Sequence, residues 1–228
     1  VRVRQAIAYA CDIPGWIQAI VGGQGFLTGP IAPPFTNWAL QESALKYHAQ
    51  NLTEAKKLLD AAAIAPSSIT VKSLSIGNVP TYIATAVQMQ ADLKQLGIDV
   101  QIEPGTQTDY TSRLFVTKEF DVVNGQDFSP DDPDRLYDRM HSKGSGNYSG
   151  FANAEVDSLL QQQRETLDLT TRKDLVKRAQ EIIVRDVPTF YTFVPWSFGF
   201  THSLSNWRES AIVGNNVRWN ARNAWISG

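Results

Sequence analysis

Four aspartates within eight positions, Asp127, Asp131, Asp132 and Asp134, are the residues whose type and spacing most readily suggest chemistry. They lie in Phe-Asp-Val-Val-Asn-Gly-Gln-Asp-Phe-Ser-Pro-Asp-Asp-Pro-Asp, from Phe120 to Asp134. Such a cluster can hold a hard cation through oxygen ligands. It can supply a paired acid and base, or form charge-assisted hydrogen bonds to an ammonium group. The spacing lacks the EF-hand pattern and its sixth-position glycine, and Pro130 and Pro133 restrict wrapping, so no metal site is expected. An acid/base centre would need a second carboxylate brought in by the fold. A carboxylate- or metal-dependent hydrolase using Asp127, Asp131 and Asp132 is therefore kept as the alternative function. The plainest reading is that Ser129 and the aspartates make turns and cap the helix starting near Asp134.

Other chemistries find less support. His48, His141 and His202 lie far apart and in no ligand spacing. Cys11, the one cysteine, sits in the first helical pattern as a small core residue and excludes an internal disulfide. No nucleophile elbow, Walker loop or dinucleotide fingerprint follows a strand. Gly22-Gly-Gln-Gly follows a helix, and Lys143-Gly-Ser-Gly reads as a turn. No catalytic residue and no cofactor is expected. The net charge of -2 gives no reason for a nucleic-acid or anionic-membrane partner. No apolar run approaches the roughly 20 residues that cross a bilayer. With 43% hydrophobic and 19% charged residues over 228 positions, the chain is globular.

The elements that must position the aspartates follow from periodicity. Val3, Ala6, Ile7 and Ala10 recur at helical spacing, and Asp12-Ile-Pro14 opens a second helix that the glycines from Gly22 end. Residues 27–47 are rich in proline and aromatics and should be irregular but ordered. Asn51 and Glu54 form a capping-box-like start for a helix carrying Ala55, Leu58, Leu59 and Ala62. Ile69, Val71, Leu74 and Ile76 make a strand, with a turn at Gly77-Asn78. A helix over 80–96 stops at Gly97. Ile98, Val100 and Ile102 alternate as the next strand, a helix spans Tyr110 to Lys118, and the strand at Phe120 follows. This strand–helix order implies a largely parallel α/β sheet. Beyond the aspartates, helices are expected near 135–141, from Asn153, and from about Thr170 to Val187. Phe190 to Phe200 reads as an edge or crossing strand. Trp196, Trp207, Trp219 and Trp225 crowd the last 33 positions, and an interaction module using that aromatic tail is a third reading.

Several stretches, taken in order, resemble the C-terminal lobe of family 5 extracellular solute-binding proteins, the oligopeptide- and dipeptide-type receptors of ABC importers. Val1-Arg-Val-Arg-Gln-Ala-Ile-Ala-Tyr-Ala-Cys-Asp resembles the family's Val-Arg-x-Ala helix. Gly29-Pro-Ile-Ala-Pro-Pro is similar to its Gly-x-x-x-Pro-Pro segment, and residues 51–62 to its Pro-x-x-Ala-x-x-Leu-Leu helix. Leu93-Lys-Gln-Leu-Gly-Ile-Asp-Val resembles Leu-Lys-x-x-Gly-Ile-x-Val. Asn147-Tyr-Ser-Gly-Phe-Ala-Asn-Ala-Glu-Val-Asp is similar to Asn-Tyr-x-x-Tyr-x-Asn-Pro-x-Phe-Asp. The matches run over about residues 1–200.

The resemblance implies a periplasmic-binding-protein-like α/β lobe with a mixed, mostly parallel sheet flanked by helices. Residues 1–189 would form the ligand-binding lobe and 190–228 would return towards a first lobe. The chain would then be a piece of a longer, non-enzymatic, monomeric receptor, periplasmic or extracellular and lipid-anchored in some members. Such a receptor closes two lobes around a small solute, most readily a short peptide, and delivers it to permease subunits in the membrane. Relatives in the family take nickel chelates, sugars, haem or opines. The loop after the Phe120 strand corresponds to the family's Gly-Trp-x-x-Asp segment, where an acidic side chain pairs with a peptide's amino terminus. Gln126 stands in the tryptophan's place, and the spacing leaves Asp127 or Asp131 as the acid. The expected ligand-binding residues are Gly125, Gln126, Asp127, Phe128, Ser129 and Asp131, with Asn78 lining from the neighbouring turn.

Overall fold

The computed structural model describes residues 1–33, 37–125 and 132–196, together with the backbone of two short strands, Leu204–Ser205 and Trp225–Ile226. Its centre is a parallel sheet in the order β3-β2-β4, with β2 at Thr70–Ile76, β3 at Asp99–Gly105 and β4 at Val122–Asn124. Alternation decides which side chains face which layer. Val71, Val100 and Val122 face a core shared with α1 (Arg2–Ala10), α2 (Ile13–Val21), α3 (Leu52–Ala61) and α4 (Pro80–Lys94). Leu74, Ile76 and Val123 point the other way, into a smaller cluster with Tyr110 and Leu114 from α5 (Gln107–Ser112) and the π-turn Arg113–Thr117.

The helices begin and end for local reasons. Asn51 accepts the Glu54 N–H at 3.0 Å, so α3 starts where the capping pattern places it. Gly97, at φ 82°, supplies the left-handed residue that lets α4 turn into β3. Apart from the sheet's two clusters, α6 (Arg135–Met140), α7 (Ala154–Glu165) and α8 (Leu169–Asp186) share a separate core built on Leu136, Val156, Leu160, Val176 and Ile183. The α/β class and the mostly parallel sheet agree with the sequence expectation.

Three local expectations change. The helix expected over Tyr110 to Lys118 begins earlier, because the Thr106 hydroxyl accepts the Asp109 N–H at 3.1 Å. It also widens into a π-turn before Lys118 at φ 55°. Within residues 27–47, read as irregular, Leu27 belongs to a short strand, β1 (Gly25–Leu27), which pairs antiparallel with β5 (Phe193–Pro195). Among its described residues the apolar run from Phe190 contributes a three-residue strand, with Pro195 at its end. The rest of that run, residues 197–200, lies outside the described residues, as do Trp207 and Trp219. Leu204–Ser205 and Trp225–Ile226 pair antiparallel, as β6 and β7.

Candidate functional site

All three strands of the parallel sheet finish on one edge of the lobe. Register pairs Ile76 with Gly105 and Ser75 with Asn124, so the turns leaving β2, β3 and β4 lie side by side. The Gly77 N–H donates to the Gly105 carbonyl at 2.9 Å and ties two of those exits together. Asn78 and Gly125 are both exposed on this edge. The structure thus brings together the two sequence-predicted site residues that it describes. The other five, Gln126, Asp127, Phe128, Ser129 and Asp131, lie outside the described residues.

The exit of β4 is held from two sides. On the α4 side, the Asn124 amide donates to the Ser73 hydroxyl at 2.6 Å and the Ser75 hydroxyl at 3.2 Å; both serines are fully buried. Partnered polar groups in a sheet interior fix register, because an unpaired one is costly to bury. On the opposite face, the Tyr110 hydroxyl lies so close to the Gly125 backbone that any side chain at position 125 would collide with it. Glycine is required there by approach, not by backbone angle. Burial, with Tyr148 and Tyr82 nearby, pushes the Tyr110 phenol pKa well up, so it stays a neutral hydroxyl.

The far end of the aspartate loop is also held. Arg164 reaches Asp134 with two nitrogens, its Nη2 donating to Oδ2 at 2.7 Å. Arg172 Nη2 donates to Asp132 Oδ1 at 3.0 Å, and that oxygen also accepts the Asp134 N–H at 2.8 Å. The Arg164 hydrogen bonds, outweighing partial desolvation, hold the Asp134 carboxyl below the usual carboxylate range. Asp134 does begin α6, but its carboxylate makes no cap bond and is spent on Arg164 instead. Of the four aspartates, Asp132 and Asp134 are committed to ion pairs with α8 and α7, and Asp127 and Asp131 lie outside the described residues.

The described histidines and the cysteine are taken up by other contacts. Among the described residues no group of three His, Cys, Asp or Glu lies close enough to hold a cation. His48 is buried, with its ring nitrogens 3.1 Å from the Leu45 carbonyl and 2.7 Å from the Tyr191 carbonyl. The Lys143 N–H donates to His141 Nδ1 at 3.0 Å, and His202 lies outside the described residues. Cys11 is fully buried, and that burial drives its thiol pKa well up. Among the described residues no helix is long and apolar enough to cross a membrane. Sequence reasoning missed the Ser73–Ser75–Asn124 cluster and both arginines. Polar residues in a strand signal nothing until register pairs them, and the arginines lie 30 and 40 residues from their partners.

A family model described as bacterial extracellular solute-binding proteins, family 5, middle region matches residues 1–148. The chain belongs to that family. The probable D,D-dipeptide-binding periplasmic protein of Escherichia coli K12 is 32% identical to this family 5 chain over 199 residues, 84% of the chain and 37% of that protein. A dipeptide-binding protein of the same organism is 27% identical over 195 residues, 82% of the chain and 36% of that protein. The chain therefore spans little more than a third of the length of these curated relatives. The solved oligopeptide-binding protein of Bacillus subtilis in complex with a nonapeptide superposes with a TM-score of 0.82. That match covers 100% of this chain and 47% of the other, at 20% identity, and it shows the fold. The family and these relatives are binding proteins.

Proposed function

We propose that this chain is the C-terminal ligand-binding lobe of the substrate-binding component of an ABC importer. It captures a short peptide between two lobes and delivers it to permease subunits in the membrane. In this reading residues 1–189 form the lobe and 190–228 return towards the first lobe. The receptor is monomeric, non-enzymatic and periplasmic or extracellular. The observation that carries the reading is the shared edge of the sheet. There Asn78 and Gly125 lie on adjacent strand exits, and the sequence that follows Gly125 carries Asp127 and Asp131 ahead of the two aspartates, Asp132 and Asp134, that pair with Arg172 and Arg164. Open α/β sheets bind ligands on this edge. A carboxylate facing an ammonium in a water-poor cleft forms a charge-assisted bond that a neutral acceptor cannot match. Asp127 and Asp131 are the proposed acids, with Gln126, Phe128 and Ser129 lining beside them. The dipeptide-binding relatives support a peptide as the ligand.

The test uses the full-length receptor that contains this lobe. Its thermal stability is followed against di- to pentapeptides, nickel chelates and oligosaccharides. A ligand bound only by the native state adds about 2.7 kcal/mol at a hundredfold excess over its Kd. Peptides should raise the transition temperature. A shift with chelates or sugars alone would remove the peptide from the proposal, and no shift with any of them would remove the receptor.

A further inference from the structure

We infer that Arg164 and Arg172, joined through Gln163, are positioning residues that clamp the returning end of the ligand-binding loop to helices α7 and α8. The inference rests on the proposed role of that loop. Gln163 has no exposed surface; its amide donates to Asp134 Oδ1 at 3.3 Å while its carbonyl accepts from Arg172 Nε at 2.9 Å. One orientation of that amide satisfies both contacts, so the glutamine links the two ion pairs into a single directed network. Each guanidinium is also placed by a ring: Arg164 lies 3.5 Å over the centroid of Tyr137, and Arg172 lies 5.2 Å from that of Trp38.

Exposure separates positioning from plain stabilisation. The four charged side chains are 24% (Arg172), 58% (Asp132), 39% (Arg164) and 44% (Asp134) exposed. Ion pairs this wet add little to stability. A two-pronged guanidinium–carboxylate contact nonetheless fixes direction as well as distance, which a single ammonium cannot do. The clamp acts on Asp132 and Asp134, on the far side of the loop from Gly125. The near side is already held by Asn124 on its two serines and by Gly125 against Tyr110. Holding both ends on rigid elements lowers the ordering cost that ligand binding would otherwise bear.

The experiment measures Ala-Ala and Ala-Ala-Ala binding to the full-length receptor and the transition temperature of the ligand-free protein. Arg164→Gln and Arg172→Gln should each weaken peptide binding tenfold or more while moving the transition by no more than about 4 °C. Asp132→Asn should match Arg172→Gln. Arg172→Lys, whose single ammonium cannot reproduce the bonds to both Gln163 and Asp132, should not return affinity to within threefold of the parent. If the parent binds and the glutamine variants bind within twofold of it, the clamp is refuted. It is also refuted if affinity falls only in step with a collapse in stability. A parent that binds neither peptide would overturn the proposed function beneath it.

Discussion

Replacing Gly125 with alanine tests the geometry of the β4 exit where it is tightest. The added methyl would meet the Tyr110 hydroxyl well inside van der Waals contact, while the next atom of that ring, Cζ, would lie at an ordinary 3.4 Å. Gly125 is not among the positive-φ glycines, so alanine meets no backbone penalty, and among the described residues the obstacle is the phenol oxygen. Tyr110 is 8% exposed and wedged among Leu74, Ile76 and Leu114, so it cannot swing aside cheaply. Overpacking of this kind costs about 1–3 kcal/mol. Tyr110→Phe alone removes only the hydroxyl and should cost under about 1 kcal/mol. In the double variant the collision disappears, so a double-mutant cycle should show a favourable coupling of about 1–2 kcal/mol. Urea unfolding of the receptor reads all four proteins. Simple additivity, or a neutral Gly125→Ala, would refute the close approach and with it the glycine requirement.

Two further perturbations follow from buried groups. Asp92 accepts from the Asp12 N–H at 2.9 Å and from Trp16 Nε1 at 2.7 Å. Asp92→Leu strands the buried Trp16 donor and the part-buried Asp12 N–H and should cost about 2–5 kcal/mol in urea unfolding; a loss under about 1 kcal/mol would show that the carboxylate does not hold α4 to α2. Burial outweighs the two carbonyl contacts at His48 and lowers its pKa below the ordinary 6.5. The unfolded chain then takes up the proton first, so this contribution to stability is intact above about pH 6.5 and declines as pH falls below it. His48→Gln should flatten that acid limb; an unchanged limb would assign it to other groups.

The parts of the fold that could be read in advance were those with an unbroken period or a cap. Ile98, Val100 and Ile102 alternate, and Leu175, Val176, Ala179, Ile182 and Ile183 recur at helical spacing, with Asn51, Gly97 and Asn153 marking boundaries. Each of those signals lies within one element. β1 was not legible because three residues carry no measurable alternation and its partner strand is distant in the chain. Ser73 and Ser75 broke the apolar pattern of a central strand, and only the parallel register with Asn124 explains their burial. The aspartates suggest a site by their spacing, but that Asp132 and Asp134 serve the fold depends on Arg172 and Arg164 reaching in from α8 and α7. Spacing within the loop cannot carry that information.

Calorimetric titration of the full-length receptor with a dipeptide and with its N-acetylated form tests peptide capture by a carboxylate most directly. Acetylation removes the ammonium and little else. Losing one charge-assisted bond of about 1.5–3 kcal/mol weakens binding roughly tenfold to a hundredfold. The account predicts that loss, and predicts that either Asp127→Asn or Asp131→Asn abolishes the difference between the two ligands. Equal binding of free and acetylated dipeptide, in the parent and in both variants, would contradict it.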